Sequence, residues 1–170
     1  MQIKENDNYI MFDGKKIPLT DEQIEMLKLE TKQNKRPFER AEKGKDYYVI
    51  DITGEVLPCT DYRFGTDDML FDAANYCTDE KMMKQRALHE VLNRFLWKYS
   101  IEQDGTEDRW NSKTKHYVIY KIIPNGDFSI AYTVVAKSAG AVYFKTQETA
   151  IRAIDEIVRP FIKEHPDFVW

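Results

Sequence analysis

Asp46-Tyr-Tyr-Val-Ile-Asp51 and Lys115-His-Tyr-Val-Ile-Tyr-Lys121 share the run Tyr-Val-Ile, at 48–50 and 117–119, and this pair decides how the chain is read. Both runs are rich in β-branched and aromatic residues, the composition of a strand. Each is followed by a turn glycine, Gly54 or Gly126, and then by a second β-prone run, Glu55–Cys59 or Phe128–Val135. Pro58 cannot donate to a ladder, which makes the first return strand short or an edge. Further on, Ala73–Cys77 and Ala141–Phe144 read as third strands, and each leads into a helix start, Thr78-Asp-Glu80 or Thr146-Gln-Glu148. Tyr48 precedes Tyr76 by 28 residues, and Tyr117 precedes Tyr143 by 26. This spacing predicts an α+β fold with antiparallel sheets and helices on one face. Its centre is a duplicated strand–strand–strand–helix unit over 45–102 and 103–170, with Tyr48 matching Tyr117 and Tyr76 matching Tyr143.

Working outward, residues 1–44 read as a β-hairpin and a helix, a shortened version of the same plan within one compact domain. Asp13-Gly14 between Tyr9–Phe12 and Lys15–Leu19 is a two-residue hairpin turn, since both turn positions need positive φ. Thr20-Asp-Glu-Gln23 fits a capping box, and Ile24 and Leu27 continue a helix predicted to end near Asn34, before Arg36-Pro37. In the long helix predicted from Asp79 to Ile101, with Thr78 as its cap, Leu88, Val91, Leu92, Phe95, Leu96 and Tyr99 form one apolar stripe. In the last helix Ala150, Ile151, Ile154, Ile157, Val158 and Phe161 do the same, and Pro160 predicts a kink or an early stop. Leu92, Phe95, Ile154 and Val158 are the expected core. Asp61–Asp72 is expected to be a loop.

A chain of 170 residues, 42% hydrophobic, can bury a core without a disulfide or a metal. Two cysteines, a polar start and no apolar run long enough to span a bilayer predict a cytoplasmic protein without a membrane segment. The net charge of −4 argues against a general nucleic-acid binder. Charge is unevenly placed. Residues 45–80 hold nine acidic side chains and only two basic ones, Lys45 and Arg63, and a mildly basic stretch follows.

The residue types that carry chemistry are thinly spread. His89, His116 and His165 have no zinc-site spacing, and the seven glycines form no phosphate loop. Cys77 precedes a helix start, where a thiol can be activated, but its counterpart is Phe144, which marks it as a core residue. The sequence therefore predicts no catalytic residue, no metal, no cofactor and no enzyme activity. What stands out is Asp61-Tyr-Arg-Phe-Gly-Thr-Asp-Asp-Met-Leu-Phe-Asp72, which mixes acids with aromatics as contact loops do. Asp61, Tyr62, Phe64, Asp67, Asp68 and Asp72 are the predicted partner-binding residues, with the four carboxylates exposed on one surface. Trp110 and Trp170 are further candidates for exposed aromatics. A second candidate surface, facing nucleic acid, is the basic helix face of Arg86, Arg94 and Lys98, with Tyr47, Tyr117 or Tyr120 on a nearby strand surface.

Pro37-Phe-Glu-Arg40, Gly44–Asp51, Ala74-Asn-Tyr-Cys-Thr-Asp79, Gln85–Glu90, Asn93-Arg94, Leu96-Trp97 and Tyr143-Phe144 with Ala150 and Ala153–Glu156 resemble a class of small proteins from phages, prophages and mobile elements of Firmicutes. The resemblance covers Ile17 to Trp170. It implies a setting in the host-cell cytoplasm, and no catalytic residue comes with it. By analogy of setting, it implies an inhibitor of host defence such as an anti-CRISPR protein, bound to a CRISPR effector nuclease on its nucleic-acid-binding surface. A nucleic-acid-binding accessory protein and a phage structural or assembly protein are the alternatives.

Overall fold

Asp13 and Gly14 both take positive φ, 49° and 74°, and close the two-residue turn between β1 (Tyr9–Phe12) and β2 (Lys15–Pro18). The computed structural model describes residues 9–26, 36–105, 110, 113–122 and 126–170. After β2 the predicted capping box forms. The Thr20 N–H donates to Gln23 Oε1 at 2.9 Å and the Gln23 N–H to Thr20 Oγ1 at 3.3 Å, at the start of α1 (Asp21–Met26). The predicted continuation of this helix from Leu27 to Asn34 lies outside the described residues, as do Pro124 and Asn125 of the second hairpin's turn. Contacts divide the chain into Met1–Arg36 and Pro37–Trp170. The division falls earlier than residue 44 because Pro37–Ala41 is held within the second unit. Thr78 donates to the Pro37 carbonyl from its N–H, at 2.8 Å, and from its hydroxyl, at 3.1 Å, and Ala41 is buried.

In that second unit β3 (Asp46–Ile50) pairs antiparallel with β4 (Val56–Thr60). The expected loop after β4 instead contains a helix, α2 (Gly65–Asp72). Asp67 at the third helical position accepts from the Phe64 N–H at 2.9 Å and so supplies a start signal that its place among aromatics obscured. Next comes α3 (Glu80–Asp104), capped by Asp79, whose carboxylate accepts from the Met82 N–H at 3.0 Å. Thr78, the predicted cap, is engaged with Pro37 instead. The chain continues through β5 (His116–Lys121) and β6 (Phe128–Thr133), again antiparallel, to α4 (Gln147–Ala153), capped by Thr146 as the sequence predicts. The α+β class is thus observed, built on three two-stranded antiparallel sheets among the described residues.

The predicted third strands are reduced to single antiparallel bridges, Tyr48 to Cys77 and Tyr117 to Phe144. In the first hairpin the reason is local. Ala74 has φ 54°, which turns the chain away from a strand path. The Asn75 side chain replaces the missing backbone: its amide accepts from the Ile50 N–H and donates to the Ile50 carbonyl, both at 2.8 Å.

Helix α3 serves both hairpins with different sides. Near its start Met83 and Ala87 pack with Ile50 and Cys77 beneath β3. Near its end Leu92, Leu96 and Tyr99 pack with Ile119, Phe144, Ala150, Ile154 and Val158. At about 100° per residue the second set stands roughly 120–180° around the helix from Ala87. Leu92, Ile154 and Val158 are therefore buried as expected, but Phe95 is not. It falls between the two buried sides, 49% exposed, its ring edge-on to Phe161. Pro160 causes no stop either. A π-helical turn, Ile154–Val158, widens the helix just before it, with the Arg159 N–H donating to the Ile154 carbonyl. That widening gives room where the proline ring would otherwise press on the preceding turn, and α5 (Arg159–Glu164) follows directly.

Leu92→Ala should destabilise the protein by about 2–5 kcal/mol, whereas Phe95→Ala should cost about 1 kcal/mol or less. Urea unfolding of the two variants checks this. Equal losses would contradict the two-sided burial of α3.

Candidate contact site around Asp61 to Asp72

The site is built where β4 ends. Asp61 is fully buried, and four groups converge on its carboxylate. Arg40 Nε donates to Oδ2 at 2.9 Å, the Tyr76 hydroxyl donates to the same oxygen at 2.9 Å, and the Arg63 N–H donates to Oδ1 at 2.8 Å. The Arg63 guanidinium stands 3.7 Å from Oδ2. The Arg40 hydrogen bond is the main reason that the Asp61 carboxyl is pulled down to about 2 against the cost of burial. Arg40 also reaches Asp68 at 2.6 Å.

Asp67 is the second buried carboxylate. It accepts from the Tyr47 hydroxyl at 2.8 Å, from the Phe64 N–H at 2.9 Å and from the Tyr62 N–H at 3.1 Å. These bonds, that of Phe64 first, hold its carboxyl below the ordinary carboxylate range. Beneath both acids the Tyr47 and Tyr76 rings stack with centroids 4.0 Å apart, and Phe71 meets Tyr76 edge-on. Burial raises the phenol pKa of both tyrosines, so they remain neutral donors. Tyr76 also accepts from the Ala41 N–H at 2.9 Å.

The consequence lies on the other side of the backbone. The N–H groups of Tyr62, Arg63 and Phe64 all point inward to Asp61 or Asp67. Arg63 is held at φ 65°, a left-handed conformation unusual for a residue with a side chain. Its guanidinium is tied to the Ala41 carbonyl at 2.7 Å. The Tyr62 and Phe64 side chains are thereby turned outward, 52% and 65% exposed, with ring centroids 5.8 Å apart, and Met69 on α2 is 71% exposed. Tyr62 and Phe64 thus stand in solvent on a frame that is hydrogen-bonded at each backbone donor from 62 to 64, and Met69 is exposed on the helix that follows.

The expectation of four exposed carboxylates is corrected here. Asp61 and Asp67 are buried; Asp68 and Asp72 are exposed, and Asp68 is paired with Arg40. Local alternation of charge with aromatics could not show this, because the neutralising Arg40 lies outside the 45–80 block. Arg40, Tyr47, Tyr76 and Met69 are the members of the site that sequence reasoning missed. Trp110 is stacked on His116 at 3.8 Å and Trp170 packs on Phe128, so neither is a freely exposed ring.

The basic helix face is largely engaged inside the molecule. Arg86 donates to the Ala74 carbonyl and pairs with Glu90 at 2.8 Å, and Arg94 donates to the carbonyls of Ile52 and Thr53 at 3.1 and 3.3 Å. Lys98 stands 3.6 Å from Glu102. Tyr47, proposed for the same surface, is buried. Cys77 is a core residue whose thiol is pushed up by burial. Among the described residues no group of three His, Cys, Asp or Glu side chains could hold a metal ion, and no helix is long and apolar enough to cross a membrane. Comparison with protein-family models, with curated proteins and with solved structures finds no match.

The Asp61 geometry fixes an acid response. Its folded-state pKa is depressed to about 2 from an ordinary value of about 3.9, so its stabilising contribution is complete above the ordinary value. That contribution is lost as pH falls from about 4 to about 2. Asp61→Asn should cost about 2–3 kcal/mol at neutral pH, and the gap to the unsubstituted protein should close as pH approaches 2. Melting temperatures across this range test it. A gap that stays constant with pH would remove Asp61 as the titrating group.

Proposed function

We propose that this protein is a non-catalytic binding protein that docks on a protein partner through Tyr62, Phe64 and Met69. The single observation carrying this reading is the exposure of Tyr62 and Phe64 on a backbone fixed by two buried carboxylates, with Met69 exposed on α2. Exposed aromatics cost affinity when they must be ordered on binding, and here the backbone that carries them is already fixed. Aromatic anchors in a partner pocket carry most of an interface's energy, and Met adapts to an irregular pocket wall. Exposed Asp72, with Asp68 exposed but paired with Arg40, favours a pocket with a basic rim.

The resemblance to phage and mobile-element proteins makes a bacterial defence nuclease, such as a CRISPR effector, the partner class we favour. Its nucleic-acid-binding surface offers a basic rim of this kind. In this reading the aromatic tip supplies the anchor and the remaining exposed acids supply steering. The expected surface of four carboxylates is reduced to Asp68 and Asp72, because Asp61 and Asp67 are internal.

The test is target cleavage by a panel of purified CRISPR effector nucleases, with and without stoichiometric amounts of this chain. Inhibition of one nuclease should fall at least about tenfold in potency in the Tyr62→Ala/Phe64→Ala variant, an effect of about 1.4 kcal/mol or more. The variant should keep the melting temperature of the parent, because both rings are surface groups. Full cleavage across the panel, together with no nuclease-resistant protein partner on affinity purification from the host, would remove the proposal. Equal inhibition by the variant would place the contact elsewhere.

A further inference from the structure

The two hairpins of the second unit differ at their outer edges. In a regular antiparallel pair, alternate residues direct their backbone N–H and C=O toward one neighbour or the other. Tyr48 exchanges both of its backbone bonds with Cys77, so its β4 partner, Pro58, faces outward from the sheet. Proline has no N–H to offer there, and the edge is closed to strand addition at that point. Tyr117 exchanges both of its bonds with Phe144 in the same way, at 2.9 and 2.8 Å. Its β6 partner is Tyr132, which stands where the first hairpin has Pro58.

The same alternation directs the N–H and C=O of Phe128, Ile130 and Tyr132 away from β5. No backbone hydrogen bond to these outward groups occurs among the described residues. The strand itself carries none of the usual protections; beside it the Lys115 ammonium stands over the Tyr132 ring, 4.4 Å from its centroid. Phe128-Ser-Ile-Ala-Tyr-Thr-Val-Val-Ala136 contains no charged residue and no proline, and Ala131 and Tyr132 are exposed.

We propose that the outer edge of β6 pairs antiparallel with β6 of a second copy of this chain, about a two-fold axis at Ile130. In this register Ile130 faces Ile130 of the second copy, and Phe128 faces Tyr132. All three outward residues then become hydrogen-bonded pairs, and two hairpins join in one four-stranded sheet. The strand is self-complementary in the way an isologous contact requires. It places no like charges opposite one another and sets Phe128 against Tyr132, an aromatic cross-strand pair. A foreign strand could use the same donors and acceptors, but nothing along β6 selects one by charge. The edge is independent of the Tyr62–Phe64 site, so this inference does not rest on the proposed function.

Sedimentation velocity over a concentration series reads the association directly. The parent chain should shift toward the dimer as concentration rises. Tyr132→Pro, which copies Pro58, and Tyr132→Lys, which places a charge on the edge, should both stay monomeric with unchanged far-ultraviolet circular dichroism. A cross-link tests the register. With Cys59 replaced by Ser, an equimolar mixture of Ser129→Cys and Ala131→Cys chains should form a mixed disulfide dimer under mild oxidation. These two residues face one another in the non-hydrogen-bonded pairs flanking Ile130, where side chains come closest. Either variant alone should cross-link at least tenfold less. A parent chain that remains monomeric throughout, a dimer that survives both Tyr132 substitutions, or a mixture that cross-links no better than its components would each overturn the proposal.

Discussion

The burial of the Asp61 carboxylate is the constraint around which the first half of the second unit is arranged. An isolated buried carboxylate is too costly to keep ionised, so its surroundings must supply charge and hydrogen bonds together. Arg40 does this from before β3, Arg63 from after β4, and Tyr76 from after α2. Three separate stretches of chain are tied to one side chain. Asp67 repeats the device one layer away, with Tyr47 as its neutral donor. The stacked Tyr47 and Tyr76 rings join the two carboxylate sites and give them an apolar floor. A network satisfied in this way positions its members more firmly than apolar packing would, because each broken bond leaves a buried polar group unpaired.

This arrangement explains why a short exposed segment can hold two aromatic rings in solvent. Ordinarily such rings would turn inward to shed water from their faces. Here the backbone N–H groups of Tyr62, Arg63 and Phe64 are all directed inward, and the positive φ of Arg63 is retained because its neighbours are fixed on both sides. Strain of this type persists only where the surroundings over-determine it, and it concentrates at sites that do something.

The sequence was informative where a signal was local. Asp13-Gly14, the Thr20–Gln23 capping box, the Thr146 cap and the shared Tyr-Val-Ile runs each depend on neighbours within a few residues, and each appears in the structure as read. The errors arose where a distant group decided the outcome. Asp61 and Asp67 looked exposed because their partners, Arg40 and Tyr47, are about twenty residues away in the chain. Phe95 looked buried because a single stripe was assumed for α3, while two hairpins press on different sides of that helix. Of the kink or early stop expected at Pro160, the stop does not occur, because a π-helical turn with no recognisable signature in composition accommodates the ring. The exposure of Tyr62 and Phe64 was legible, but the frame that displays them was not.

The two hairpins begin from the same local pattern and are finished differently. On the inner side of β3, Asn75 extends the ladder past its single bridge. On the outer side, Pro58 closes β4, and α2 with its carboxylates covers the segment that follows. On the second hairpin the Phe144 bridge stands without a side-chain extension of this type among the described hydrogen bonds, and Tyr132 replaces proline at the outer edge. Proline at an edge and an amide that mimics a strand both limit what else can pair there. The first hairpin therefore presents side chains, from the tip beyond β4, whereas the second presents backbone along β6. One chain thus offers two surfaces of different chemistry, one suited to filling a pocket and the other to continuing a sheet.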